Sequence, residues 1–366
     1  MTAADLPHMQ AALALARRGL GQTWPNPSVG CVIVKNDRVL GRAVTAPGGR
    51  PHAETQALTI AGEAARGATA YVTLEPCAHH GETPPCAEAL IAAGIARVAI
   101  ASHDPDPRVA GRGVAMLREA GIEVLEGVLQ TEGDEIVEGF VRRVTQGRPM
   151  VTLKLASTLD GRIATASGES KWITGPQARR RVQLLRARND AVLVGIGTAL
   201  ADDPDLNCRL DGARARPLVR VVADSDLRLP LASRLANTTE AAPVWLVAAP
   251  DADAARRDAL AKQGVEIVEA ARHDPAALLA ALGARGLTRL LVEGGGTLAA
   301  SLLSADLVDR LMWFHAPAVL GGDGLNAVGG MRLAHLADMQ RFERVAFDAI
   351  GPDIASEFRH TALRRG

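Results

Sequence analysis

Aromatic side chains are scarce in this chain: one Tyr, five Phe and four Trp in 366 residues. That leaves little from which to build the stacking platforms that hold unpaired bases. Net charge is also missing, because 41 Lys and Arg meet 41 Asp and Glu. There is therefore no general attraction to nucleic acid or to an anionic bilayer. Cysteine is sparse: Cys31, Cys77, Cys86 and Cys208 are too few for a disulfide framework in so long a chain. No segment approaches the ~20 apolar residues of a membrane helix. Arg17 and Arg18 interrupt the apolar stretch at Ala11–Ala16, which argues against a secretory leader. The chain reads as a soluble, cytoplasmic protein whose partner is a small molecule, with no nucleic acid and no membrane.

What is present is an alternation of helical and strand patterns. In the first part, strands are expected at Gly30–Val34, Ala70–Leu74, Arg97–Ala101 and Ile122–Leu125. Helices are expected at Met9–Leu20, after His52, from Pro84-Pro85, at Val114–Ala120 and at Glu135–Val144. Gln146-Gly147-Arg148-Pro149 then breaks the pattern. This divides the chain into a domain at 1–145, a linker at 146–149 and a second domain at 150–366. The second part alternates again, with strands at Val151–Ala156, Ala191–Val194, Leu218–Ala223, Val244–Val247, Glu266–Val268, Arg289–Val292 and Leu311–His315. Helices at Pro176–Ala187, Ala252–Lys262, Pro275–Leu282 and Thr297–Leu303 separate them, so a mainly parallel, doubly wrapped sheet is expected.

The sharpest chemical signal is His52-Ala53-Glu54 followed by Pro76-Cys77 and Cys86. One imidazole and two thiolates make three ligands for one Zn2+, and three ligands leave the fourth tetrahedral position open for catalysis. An ion there lowers the pKa of a water it binds to roughly 7. Glu54 lies in the same first helical turn as His52 and can move a proton from that water to a leaving amine. This is the zinc-deaminase signature H-x-E … P-C-x-x-C, with eight residues between the cysteines in place of two. Pro84-Pro85 sets Cys86 in the first turn of a helix, which favours thiolate. The rival reading is a structural zinc closed by His79 or His80; Glu54 has no task there.

The spaced motif Pro76-Cys77-Ala78-His79-His80-Gly81-Glu82-Thr83-Pro84-Pro85-Cys86 resembles the deaminase half of the bifunctional riboflavin-biosynthesis deaminase–reductase family. Asn26-Pro27-Ser28-Val29-Gly30 and Asp104-Pro105-Asp106-Pro107-Arg108-Val109-Ala110-Gly111-Arg112-Gly113 are similar to two further family motifs. Past the linker, the resemblance continues through Lys154–Arg162, Ser167–Thr174, Ala201–Pro204 and Val292–Leu298. It implies an α/β protein with an N-terminal cytidine-deaminase-like α/β/α domain and a C-terminal dihydrofolate-reductase-like α/β domain. It implies two reactions as well. The first is zinc-dependent hydrolytic deamination of 2,5-diamino-6-ribosylamino-4(3H)-pyrimidinone 5′-phosphate. The second is NADPH-dependent reduction of the ribosyl side chain to ribityl, giving 5-amino-6-ribitylamino-uracil 5′-phosphate. A homo-oligomer, dimer or tetramer, built through the reductase domain is implied too.

By the same resemblance Asn26 contacts substrate in the first site, against the plainer reading of a turn residue before Pro27. Two positions depart from the family pattern, Thr45 where relatives commonly carry His and Glu82 where they commonly carry a basic residue. Both departures are expected to weaken phosphate contacts without touching ligand or proton shuttle. In the second half, Ala156, Trp172, Thr198, Asp202 and Ser225 match cofactor-contacting positions. So do Gly295, Gly296, Thr297, Leu298, Ala299, Ala300 and Ser301. Ser170, Arg186, Leu206, Arg209 and Glu293 match substrate-contacting positions. Arg186 and Arg209 suit a ribose 5′-phosphate through the guanidinium fork. Lys154 alternates with Leu153 and Leu155, faces away from them, and could assist ribose opening.

Gly294–Ala299 fits G-x-G-x-x-A after a strand. It lies late in its domain, and the acidic partner expected about 20 residues on falls at Trp313–Phe314, so an ordinary Rossmann domain is excluded. The other functional readings are a nucleic-acid-editing deaminase with an appended α/β domain and a zinc-retaining scaffold without activity. The missing basic and aromatic surface counts against the first, and Glu54 against the second.

Overall fold

The computed structural model describes residues 5–80, 84–106 and 109–361. Two compact units divide it, Met1–Arg148 and Pro149–Gly366.

The first unit runs α1 (Asp5–Gly19), β1 (Gly30–Lys35), β2 (Arg38–Val44), α2 (Ala53–Ala61), β3 (Thr69–Leu74), α3 (Cys86–Ala92), β4 (Arg97–Ser102), α4 (Arg112–Glu119), β5 (Glu123–Leu125) and α5 (Gln130–Gln146). Its sheet has the order β2-β1-β3-β4-β5. β1 pairs antiparallel with both neighbours, and β3, β4 and β5 are parallel. Strand alternation explains the layers. Cys31, Ile33, Val72, Leu74, Val98 and Ile100 pack under α2, α3 and α4. Val32, Val34, Tyr71, Ala99 and Ala101 pack under α1 and α5. Both faces are covered, and the unit is α/β/α. The buried Asp5 carboxylate accepts from Arg97 Nη1 (2.6 Å) and Nη2 (3.1 Å) and from the Tyr71 hydroxyl (3.0 Å), which ties α1 to β3 and β4.

The second unit runs β6 (Met150–Ser157), β7 (Arg162–Ala164), α6 (Pro176–Ala187), β8 (Ala191–Gly195), α7 (Ile196–Asp202), β9 (Val219–Ala223), β10 (Val244–Ala248), α8 (Ala254–Lys262), β11 (Glu266–Glu269), α9 (Pro275–Ala284), β12 (Arg289–Val292), α10 (Gly296–Ser304), β13 (Arg310–His315), β14 (Leu325–Asn326), β15 (Phe342–Ile350) and β16 (Asp353–His360). The main sheet has the order β11-β10-β9-β8-β12-β6-β13-β16-β15. It is parallel from β11 to β13, as expected, and then turns antiparallel at β16 and β15. That mixed sheet agrees with the dihydrofolate-reductase-like architecture expected for this half. Prolines open α6 and α9 at the first helical position, where no N–H is needed. All the parallel strands point their carboxyl ends to one rim, where an open α/β sheet binds its ligand.

Sequence patterning predicts no element at β2, β7, α7, β14 or the last two strands. The faces of β2 and β15 are largely exposed, so their residues carry no apolar alternation. α5 extends to Gln146, and β6 begins at Met150, so the break at Gly147–Pro149 is shorter than the four-residue linker.

Candidate functional site

In the first unit, Pro51 and an extended His52 (φ −68°, ψ 160°) lead into α2. The first turn of α2 carries Glu54 inward, and it is only 4% exposed. β3 ends at Leu74, so Cys77 follows at its carboxyl end, while Pro85 caps α3 and Cys86 begins it. These elements bring His52 Nδ1 to 3.3 Å from Cys86 Sγ and 3.7 Å from Cys77 Sγ. A tetrahedral zinc with bonds of ~2.0 Å to nitrogen and ~2.3 Å to sulfur would set such atoms roughly 3.5 Å apart. The three side chains therefore fit zinc without rearrangement, and all three ligand atoms lie within 4.8 Å of one another.

Electrostatics favour the same conclusion. Cys77 Sγ accepts from the Cys86 backbone N–H at 3.2 Å. The Cys86 thiol is the main influence drawing Cys77 down to about 4, with His52 and that N–H helping, so Cys77 is thiolate at neutral pH. Cys86 moves the opposite way, because the two sulfurs hold one proton between them; a bound cation displaces it. Burial pushes the Glu54 carboxyl up to about 7, with His52 opposing and Cys77 adding to the rise. Glu54 Oε2 is buried with no hydrogen-bond partner. An unpaired buried carboxylate oxygen beside a ligand triad is what a proton shuttle leaves ready. Among the described residues, neither His79 nor His80 joins the group; His80 faces Glu88 at 3.0 Å. The structural-zinc reading loses its fourth ligand.

Asn26 donates from Nδ2 to the Gly49 carbonyl (2.9 Å), bracing the loop that enters His52. Thr45 is buried, and its hydroxyl accepts from Val29 N–H at 3.0 Å, so it is part of the β1 entrance. Glu82 lies outside the described residues, as do Gly81, Thr83, Pro107 and Arg108 of the quoted motifs. Sequence reading passed over Glu75. Its buried carboxylate accepts from the N–H groups of Gly111 (3.1 Å), Gly113 (3.1 Å) and Val114 (3.3 Å), tying the zinc loop to the start of α4. Its place between a strand end and Cys77 was the only available signal.

In the second unit, a cleft of about 970 Å³ runs along the carboxyl ends of the parallel strands. Lys154, Ala156, Ser170 and Glu293 line one part of it, and Thr198, Asp202 and Ser225 another. Gly295, Gly296, Thr297, Leu298 and Ser301 belong to the wall made by the start of α10. Ala299 and Ala300 are buried within α10. Gly294 and Gly295 adopt positive φ (125° and 88°), so only glycine turns the chain here without strain. A Cβ on Gly296 would lie 2.6 Å from the Asn326 carbonyl. The turn offers backbone N–H groups at a helix start, a cradle suited to the diphosphate of a dinucleotide. Its closing segment, around Asn326 and Gly329, had not been anticipated.

Besides Ala299 and Ala300, four expected residues stand apart from the cleft lining. Trp172 is 68% exposed, with the Arg179 guanidinium 4.6 Å from its ring centroid. Arg186 donates from Nε (2.6 Å) and Nη2 (2.8 Å) to Glu293, and from Nη1 to the Asn207 carbonyl (2.7 Å). Its fork is thus engaged with a carboxylate, not held open for phosphate. Leu206 is buried with φ 54°, and the Arg209 backbone N–H donates to Gln183. Lys154 does face the cleft, and burial holds its ammonium below the ordinary range while Glu293 pulls the other way.

Residues 3–102 match the cytidine and deoxycytidylate deaminase zinc-binding region, and residues 149–356 match the RibD C-terminal domain. The riboflavin biosynthesis protein RibD of Escherichia coli K12 is 45% identical over 364 residues, covering 96% of this chain and 98% of that protein. A solved structure of Acinetobacter baumannii RibD superposes with a TM-score of 0.88 at 41% identity, covering 98% of this chain and 99% of that one. The Thermotoga maritima diaminohydroxyphosphoribosylaminopyrimidine deaminase/5-amino-6-(5-phosphoribosylamino)uracil reductase gives 0.86 at 37% identity, covering 98% and 99%.

Proposed function

The chain belongs to the riboflavin biosynthesis protein RibD family, and from that premise we propose which residues carry its deaminase and reductase chemistry. The substrate is the diaminopyrimidinone ribosylamine 5′-phosphate, deaminated in the first unit and reduced to the ribitylamino-uracil phosphate in the second. The single observation that supports this most is the buried, unpartnered Glu54 Oε2 beside the His52, Cys77 and Cys86 ligand atoms.

His52, Cys77 and Cys86 would hold a zinc ion, which would supply the Lewis acidity that makes water nucleophilic near neutral pH. Glu54 accepts the proton of the attacking water and returns it to the departing amine. Cys77 enters as thiolate, and the α3 amino end stabilises it. NADPH in the second unit supplies hydride. The Gly294–Gly296 turn would hold its diphosphate, and Lys154 and Glu293 would orient the ribosyl group against it. The buried Arg186 fixes Glu293 in that orientation.

We also read the protein as a cytoplasmic homo-oligomer assembled through the second unit. Val345 and Phe347 stand exposed on the sheet's edge strand β15 (48% and 58%), and none of the four cysteines is in a disulfide. Among the described residues, no helix is long and apolar enough to cross a membrane.

The test gives the zinc-loaded protein its substrate with and without NADPH, and follows ammonia and cofactor absorbance together. Ammonia appears without NADPH, and NADPH is consumed only after deamination. Glu54→Gln lowers ammonia release by roughly 10²–10⁴-fold while zinc stays bound. Ammonia release at the wild-type rate in that variant would remove Glu54 from the mechanism.

A further inference from the structure

Part of the second unit's cleft is walled by chain that no strand or helix holds. Residues 165–175 join β7 to α6 through turns, and Gly168 and Ser170 among them line the cleft. The first half of this run folds on itself. Thr165 N–H donates to the Glu169 carbonyl and Gly168 N–H to the Thr165 carbonyl, both at 3.0 Å. Among the described residues, no backbone N–H from Ser170 to Thr174 donates a hydrogen bond. Three side chains restrain that half instead. Lys171 Nζ lies 3.4 Å from Asp202 Oδ1, an exposed pair of the kind that contributes little. Arg179, on α6, donates from Nη1 to the Thr174 carbonyl at 2.8 Å and stands over the Trp172 ring. Asp353 Oδ2 accepts the Gly175 N–H at 2.6 Å.

Asp353 is the strongest of these anchors. It opens β16, 178 residues along the chain from Gly175, and it is only 2% exposed. A hydrogen bond to a carboxylate is roughly twice as strong as one between neutral groups. Its charge also sits at the amino end of α6, where negative charge is favoured. The turn before it is seated on the same helix start. A Cβ on Gly175 would meet Pro352 Cγ at 3.5 Å, and one on Gly351 would meet the Gln177 side chain at 2.9 Å. The carboxylate therefore moves only with the β15–β16 hairpin. α6 also carries Arg186, which holds Glu293 in the cleft.

We propose that Asp353 is a positioning residue for the reductase step: through the Gly175 N–H it holds residues 170–174 where Ser170 meets the substrate and Trp172 the cofactor. The inference rests on the reductase reading above. Without this anchor the run must be ordered at each binding event, and apparent affinity falls with the fraction of molecules already ordered. The bound complex is the same, so the hydride step keeps its rate.

Steady-state kinetics of the full-length, zinc-loaded protein test this, with ammonia release by the first unit as the internal control. Asp353→Ala raises the KM for NADPH and for the deaminated substrate by roughly ten- to a hundredfold. Its reductase kcat stays within about threefold of wild type, and ammonia release is unchanged. Asp353→Asn keeps an acceptor without the charge, and its KM values rise only about two- to fivefold. Unchanged KM values in Asp353→Ala, a fall in kcat at unchanged KM, or an Asp353→Asn as impaired as Asp353→Ala overturns the role and leaves the reductase reading intact. Should Asp353→Ala be insoluble, wild-type KM values in Asp353→Asn overturn it. A wild type that releases ammonia and never oxidises NADPH overturns the reductase reading itself.

Discussion

Glu75→Gln is a near-isosteric change with a calculable cost. Oε1 accepts from Gly113 and Val114 N–H, and Oε2 from Gly111 N–H. An amide keeps one acceptor and turns the other into a donor. Whichever way it is placed, its NH2 confronts at least one backbone N–H at about 3.1 Å. Each buried donor left without an acceptor costs about 1–3 kcal/mol. The α4 amino end also loses a negative charge worth up to ~1 kcal/mol. The sum is about 1–4 kcal/mol. A unit of this size loses roughly 2–4 °C for each kcal/mol, so the first unit should melt roughly 2–16 °C earlier. Zinc release into a chromogenic chelator during heating reports this unit specifically, because all three proposed ligands lie in it. The side chain has little room to relax outward, because Glu75 is buried. A midpoint within 2 °C of wild type would refute the claim that Glu75 anchors α4 to the zinc loop.

Two further outcomes follow from other buried charges. Burial raises the Asp104 carboxyl from 3.8 to about 6, with Asp106, Glu75 and Cys77 adding to it. Its folded pKa thus exceeds the unfolded one, so its contribution to stability is greatest below about pH 4 and is lost as pH rises through 6, ~3 kcal/mol in all. Asp104→Asn keeps the acceptor for Asp106 N–H, so its melting advantage over wild type should widen between pH 4.5 and 7.5; a constant gap would contradict this. Glu293→Gln leaves the Arg186 guanidinium buried beside a neutral amide and should cost about 3–5 kcal/mol in urea unfolding, whereas Arg186→Met with Glu293→Leu should cost less. A single variant within 1 kcal/mol of wild type would show that the pair is not structural.

The zinc centre was legible because its chemistry is local: His52 with Glu54 at a helix start, Cys77 just past a strand end and Cys86 at a helix start are set by short-range helix and strand ends. The parallel strands were legible because both faces are buried and their residues run apolar. β2 was not, although Asn36 and Asp37 adopt the positive φ of a hairpin turn, because its solvent face interrupts the pattern. Arg186 shows a different limit. Sequence gives a cation near a phosphate-bearing substrate, but only the fold shows Glu293 reaching it from 107 residues away.

The position of β6 bears on the timing of synthesis. It is the first strand of its unit, yet Met150 pairs with Arg289 and Thr152 with Arg310, and the antiparallel edge comes from the last strands of all. Such distant partners make for slow folding, because long loops must close before any pairing rewards them. A chain leaving the ribosome can complete the first unit while β6 still waits for its neighbours. Each new molecule would then acquire its two activities in the order in which its substrate needs them.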